Sequence, residues 1–279
     1  SYAYLAYWER FAGRQDQAMY YVRKFSVDPE DGGAYSMAAL FYADLGARDE
    51  ALAFMDKGLE VSPKWGFCWS VIPEVLSLLG EEELADQYAA RDPEMVAQTP
   101  SGSWFRLELR KILNSGDAEQ ALQRYLEENP KFSDPGISVL DDGNYNGALK
   151  YAWLLKLSGH EDRARPLLQR SLEFLDQWCD GTNDEGFWNC DGRYIVHGLL
   201  EQKEQTLAEL RRVIVDDPVW IKPLEAYEDH GALDFLKDDP EFKRLMKIRE
   251  DRYAAQLAHI REMERSGEIA PPPWDAAQQ

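Results

Sequence analysis

The chain has 279 residues, 44% hydrophobic and 12% aromatic, enough apolar material for a sizeable core in one or two domains. Its 51 acidic against 31 basic residues give a formal charge of -20, which repels nucleic-acid phosphates and anionic lipid and argues against direct binding to either. No apolar run reaches the roughly 18 residues of a membrane helix and no segment reads as a signal peptide.

The opening residues, SYAYLAYWER, already show helical rhythm and read as a chain that begins inside a folded element. AGRQDQAMYYVRKFSVDP then supplies a turn at Gly13, a second helix with Ala18, and Pro29 beyond its end. In the next stretch Tyr35, Ala38, Ala39 and Tyr42 share one stripe of a first helix. Gly46 breaks it, because glycine readily takes the left-handed conformation that ends a helix. Asp49 starts a second helix striped by Ala51, Met55 and Gly58, and Pro63 cannot continue it. The small residues let the two helices approach closely.

The same pattern returns downstream. FCWSVIPEVLSLLGEEELADQYAARDP places Trp69, Gly80, Ala85 and Pro93 in turn, with Pro73 predicting a kink or a late start in its first helix. FRLELRKILNSGDAEQALQRYLEENP supplies Phe105, Gly116, Ala121 and Pro130. After an insert, FSDPGISVLDDGNYN, the fifth pair carries Tyr151, Ala152, Gly159 and Ala164. A second insert, DQWCDGTNDEGFWNCDGR, precedes a weaker sixth pair with Ala208 in the role of Ala51 and Pro218 closing. The remainder ends in a long charged helix with Asp239 as N-cap and Pro240 at its first position, followed by an extended tail, IAPPPWDAAQQ.

This series resembles the tetratricopeptide repeat, which runs aromatic, two small residues, Tyr, then Ala and Pro over about 34 positions. The segment ALDFLKDDPEFKRLM is similar to the one that closes such regions in bacterial winged-helix activators and adenylate cyclases. The resemblance implies an all-α, right-handed α-solenoid of about five or six hairpins over 1–218, capping helices over 219–268, and a Pro-rich tail over 269–279. It also implies that the first helix of each pair lines a concave groove. Carried across by the Gly and Ala anchors, the groove positions are Ser36, Leu40 and Ala43; Phe67, Ser70, Glu74 and Ser77; Ser103, Arg106, Arg110 and Asn114; and Asn146, Leu149, Trp153 and Lys156. Among them Arg106, Arg110, Asn114, Asn146, Trp153 and Lys156 form the candidate binding set. Arg offers a planar fork to a carboxylate and Asn grips a peptide backbone through donor and acceptor, so the expected partner is a protein or peptide with an acidic or C-terminal carboxylate end.

The remaining features point to no chemistry. Trp69 takes the aromatic position of its pair, and Trp8, Trp178 and Trp220 lie in apolar rhythm, so they are expected in the core; Trp65, Trp104 and Trp188 are the rim candidates. The loop 180–192 is rich in oxygen ligands but has Glu185 where the calcium-binding EF-hand loop requires glycine, and 141–144 reads as a turn. His160, His197, His230 and His259 are scattered, and no nucleophile elbow, phosphate loop or dinucleotide fingerprint is present. Neither a metal nor a cofactor is expected. Cys179 and Cys190 bracket the acidic loop and either pair in an oxidising compartment or stay as two thiols.

The expectation is therefore a non-catalytic interaction or sensing module of a bacterial regulator that binds a peptide, a protein partner or a small ligand in its concave groove, periplasmic or cytoplasmic according to the architecture around it. Two alternatives remain: a scaffold that dimerises through the C-terminal helix, and an all-helical glycoside hydrolase with paired carboxylates at its centre.

Overall fold

A computed structural model describes residues 2–25, 31–99, 101–133, 144–180, 192–216 and 231–272. These described residues are helical throughout, with no strand among them. Chain contacts divide the protein into two units.

The first unit comprises 1–108, 218–223 and 247–279. It holds helices α1 (Tyr2–Phe11), α2 (Gln15–Phe25), α3 (Gly32–Asp44), α4 (Arg48–Val61), α5 (Gly66–Leu79), α6 (Leu84–Arg91) and α7 (Pro93–Gln98). Consecutive helices pair, α1 with α2 and α3 with α4, and each pair packs on the next through α2 on α3, α3 on α5 and α4 on α5. The second unit comprises 109–217 and 224–246. In it α9 (Ala118–Glu128), α10 (Tyr145–Leu157), α11 (Glu161–Asp180), α12 (Arg193–Leu199) and α13 (Lys203–Arg211) pack in sequence. Helix α8 (Ser101–Asn114) and the last helix, α14 (Pro240–Ser266), each contribute to both units.

The same turn recurs at six places among the described residues. Gly46 adopts φ +69, its N–H donates to Ala43 O at 3.0 Å, and the next N–H, of Ala47, donates to Tyr42 O at 2.9 Å. These two bonds satisfy the carbonyls that a helix end leaves without partners. Gly13, Gly80, Gly116 and Gly159 repeat both the positive φ and the two bonds. The sixth turn has the same geometry without glycine: Glu201 sits at φ 57, donates to Gly198 O at 2.9 Å, and is followed by Gln202 N–H donating to His197 O at 2.9 Å.

Five residues after each turn residue stands a small, buried side chain: Ala18, Ala51, Ala85, Ala121 and Ala164, and in the sixth pair Thr206. This corrects the expectation that Ala208 takes that role; Ala208 is exposed, because the register runs from Glu201 and the sequence offers no glycine to count from. Helices α3 and α4 show why small residues are needed. A Cβ on Gly32 would lie 2.5 Å from Ser62 Cβ and 2.8 Å from Gly58 O, and one on Gly58 would lie 2.8 Å from Ser36 Oγ.

Prolines act less uniformly. Helix α5 runs through Pro73 from Gly66 without a late start, and Pro73 is buried in it. Pro93 opens α7 behind Asp92, whose side chain accepts from Met95 N. Pro63 follows α4 and its carbonyl accepts from Trp69 Nε1 at 2.8 Å, fixing a buried indole.

Helix α14 begins as the sequence predicts, with Asp239 Oδ1 accepting from Glu241 N at 2.8 Å and Phe242 N at 3.2 Å. Its second half does something the sequence did not suggest. Ile260 and Met263, with Ile269 just beyond the helix end, enter the core of the first unit. Gln256 Nε2 donates to Gly13 O, Arg261 pairs with Glu50 at 2.5 Å, and Glu264 accepts from Arg23 and from Tyr42 Oη, each at 2.7 Å. The helix expected to cap the last hairpin thus lends its second half to the first two.

Candidate functional site

The first-helix positions divide into three groups. In α3, Ser36, Leu40 and Ala43 are buried. They line no open surface, because the Gly32–Gly58 approach draws α3 against α4; Ser36 Oγ donates to Gly32 O at 2.9 Å. In α5, Phe67, Ser70, Glu74 and Ser77 are half-buried. In α8 and α10, Arg106, Asn114 and Asn146 are exposed, Arg110 and Leu149 are buried, and Lys156 is half-buried; the side chain of Ser103 lies outside the described residues.

The six residues of the candidate set meet different fates. Arg106 belongs to the first unit and the other five to the second. Arg106, Arg110 and Asn114 follow one another at four-residue intervals on α8, and Asn146, Trp153 and Lys156 share a face of α10. Trp153 is buried in a helix flanked by α9, α11 and α12, which takes it out of any ligand-contacting role. Lys156 Nζ donates to Leu199 O at 2.5 Å and pairs with Glu201 at 2.9 Å, so its charge serves the C-terminus of α12. In the first unit Arg106 is exposed; in the second Asn114 and Asn146 are exposed and Arg110 is buried.

The tryptophans are partly as expected. Trp69 is core and Trp65 is exposed, its ring lying against Gly33, where a Cβ would approach within 2.2 Å. Trp104 is half-buried on the first unit's core. Trp8 departs from expectation: it is 43% exposed, in edge-to-face contact with Tyr4 at 5.8 Å. Trp188, Trp220, Cys190 and the loop 181–191 lie outside the described residues, as do the side chains of Trp178 and Cys179, so the pairing of Cys179 with Cys190 falls there too. Cys68 is a buried free thiol, pushed up by burial.

The sequence reading missed a buried ion network. Arg10 donates from Nε to Asp44 at 2.6 Å and from Nη2 to Glu74 at 2.9 Å, joining the ends of α1 and α3 to the middle of α5. Burial alone would pull the guanidinium down, but the two carboxylates outweigh it and hold Arg10 above its ordinary value. The three residues lie on first helices but at different distances from their turn glycines, Arg10 three before Gly13, Asp44 two before Gly46 and Glu74 six before Gly80, so no shared register marked them in the sequence.

Among the described residues no cluster of three or more His, Cys, Asp or Glu side chains is arranged to hold a metal ion, and no helix is long and apolar enough to cross a membrane. No known family model matches the chain, and no curated protein matches its sequence.

Proposed function

We propose that the chain is a non-catalytic interaction module, an α-solenoid of six tetratricopeptide-like hairpins that captures a protein or peptide ending in a carboxylate. The observation that carries the reading is the sixfold turn, with the same two hydrogen bonds and the same small buried residue five positions on. Repetition of one local unit builds extended surfaces rather than a single deep pocket. Taken unit by unit, an exposed Arg106 offers a cationic fork in the first, and exposed Asn114 and Asn146 offer amides in the second, against a strongly acidic background. The likeness of 232–246 to the closing segment of bacterial regulators supports a sensing role within such a protein. The rival scaffold reading has less behind it, because the apolar stripe of α14 is already buried in its own chain.

An array of short peptides with free C-terminal carboxylates, duplicated with amidated ends, tests the reading. Wild type should prefer the free carboxylates, and Arg106→Glu should lose that preference while keeping its helicity. Equal capture of both sets, or capture untouched by Arg106→Glu, would remove the assignment.

A further inference from the structure

Arg23, on α2, carries a buried charge, its side chain only 6% exposed. Its guanidinium lies over the Phe54 ring of α4, 4.8 Å from the centroid, and Tyr42 of α3 stacks on the same ring at 5.3 Å. A guanidinium and a phenol are thus set side by side, and one carboxylate answers both. Glu264 Oε1 accepts from Arg23 Nη1 and from Tyr42 Oη, each at 2.7 Å. Burial first, and then this carboxylate, raise the Tyr42 phenol above its ordinary value, so it stays a donor. Arg23 Nη2 also donates to the carbonyl of Ala270, just past the helix end. A planar cationic fork beside a hydroxyl is a seat for a carboxylate, and α2, α3 and α4 build it.

What fills the seat is held differently from what builds it. Consecutive helices approach closely along their backbones, α1 to α2, α2 to α3 and α3 to α4; among the described residues α14 makes no comparable approach to any of them. It is attached by side chains. Ile260 and Met263 are buried, and around them Glu264 meets Arg23, Arg261 meets Glu50 and Gln256 meets Gly13 O. Gln256, Ile260, Met263 and Glu264 share one helix face, the spacing by which a helix docks in a groove. Few apolar anchors ringed by polar pairs make an interface that opens more readily than a core does.

We infer that residues 256–269 stand in for an external partner: an amphipathic helix of another protein, with two apolar residues three apart and a glutamate directly after the second, that displaces α14 from Arg23 and Tyr42. The charge of the seat sets the chemistry of that partner. A buried cation left without its carboxylate is strongly destabilising, so α14 yields only to another carboxylate. Its tether gives α14 an effective concentration on the order of millimolar, which keeps the seat closed against weak competitors. The inference goes beyond the carboxylate capture proposed above and uses none of its residues.

The probe is a fluorescent peptide with the sequence of residues 253–270, titrated into the full chain and followed by anisotropy. Ile260→Ser with Met263→Ser in the chain withdraws the internal helix and leaves Arg23 and Tyr42 untouched. Peptide binding should then tighten by ~10-fold or more over wild type, because the tethered competitor is removed. A peptide carrying Glu264→Gln, or the opened chain carrying Arg23→Gln as well, should lose most of that gain. If amide exchange shows that the double variant has lost α3 and α4, Arg261→Glu decides instead. The Arg261 side chain is 52% exposed, and its reversal sets like charges against Glu50, which should loosen α14 and tighten peptide binding several-fold. Equal binding by wild type and the opened chain, or a Glu264→Gln peptide that binds as well as the unaltered one, overturns the inference. A concentration-dependent dimer of wild type that Glu264→Lys abolishes would also overturn it, in favour of a second copy as the occupant. The array of free and amidated peptides reports on Arg106 and this titration on Arg23, so either reading can fall alone.

Discussion

Glu201 holds a conformation that five of the six turns assign to glycine. An L-residue with a Cβ in the left-handed region costs ~1–2 kcal/mol, and the half-exposed Lys156–Glu201 pair returns only part of that, about 0–1 kcal/mol. Glu201→Gly should therefore stabilise the protein by several tenths to ~1 kcal/mol, seen as a rise in the denaturant midpoint; a fall would show that the ion pair outweighs the strain. Arg10 presents the opposite balance. Asp44→Ala leaves a buried guanidinium short of its nearest partner and should cost about 3–5 kcal/mol. Replacing Arg10 and Asp44 together by Met and Leu should recover most of the loss, so a double variant no more stable than Asp44→Ala would contradict an electrostatic origin. The turn glycines could be read from the sequence because glycine has a conformational preference of its own. Glu201 and the Arg10 network could not, since their geometry is imposed by the surrounding helices rather than by residue type.

At the scale of elements, helices and their order were legible because amphipathic rhythm, Gly stops and the Asp239–Pro240 start are local signals. The docking of α14 onto α2, α3 and α4 was not, since it joins residues some 240 positions apart that no local pattern connects. The groove positions in α3 were misplaced for a related reason. Their spacing was read correctly, but the closeness of α3 and α4 decides what is covered, and that depends on Gly32, Gly58 and Ser36 together. The start of α14 makes a pH prediction. A hydrogen bond from Arg244, only partly opposed by burial and aided by Arg211, lowers Glu241 from its ordinary 4.5 to about 2. A carboxylate depressed on folding lends stability above its unfolded value and loses it as pH falls through the folded one. Acid unfolding should therefore show a component between about pH 4.5 and 2 that Glu241→Gln removes. An identical acid profile in wild type and variant would show that these arginines do not stabilise the ionised form.

For the whole molecule, the formal charge of -20 sets an expectation against nucleic acid and lipid as direct partners and leaves the partner itself open. The candidate binding set shows where pattern stops: Arg106, Asn114 and Asn146 are exposed, whereas Trp153 is buried by packing and Lys156 is engaged at the end of α12. A stack of like units has energetics that run from neighbour to neighbour, and this is where the proposed architecture is most exposed to test. The direct measurement is native-state amide exchange, helix by helix, in wild type and in Gly32→Ala, whose new Cβ would press on Ser62 and on Gly58 O. The account predicts faster exchange in α2 to α5, with α10 to α13 unchanged. A uniform loss of protection across every helix would contradict it.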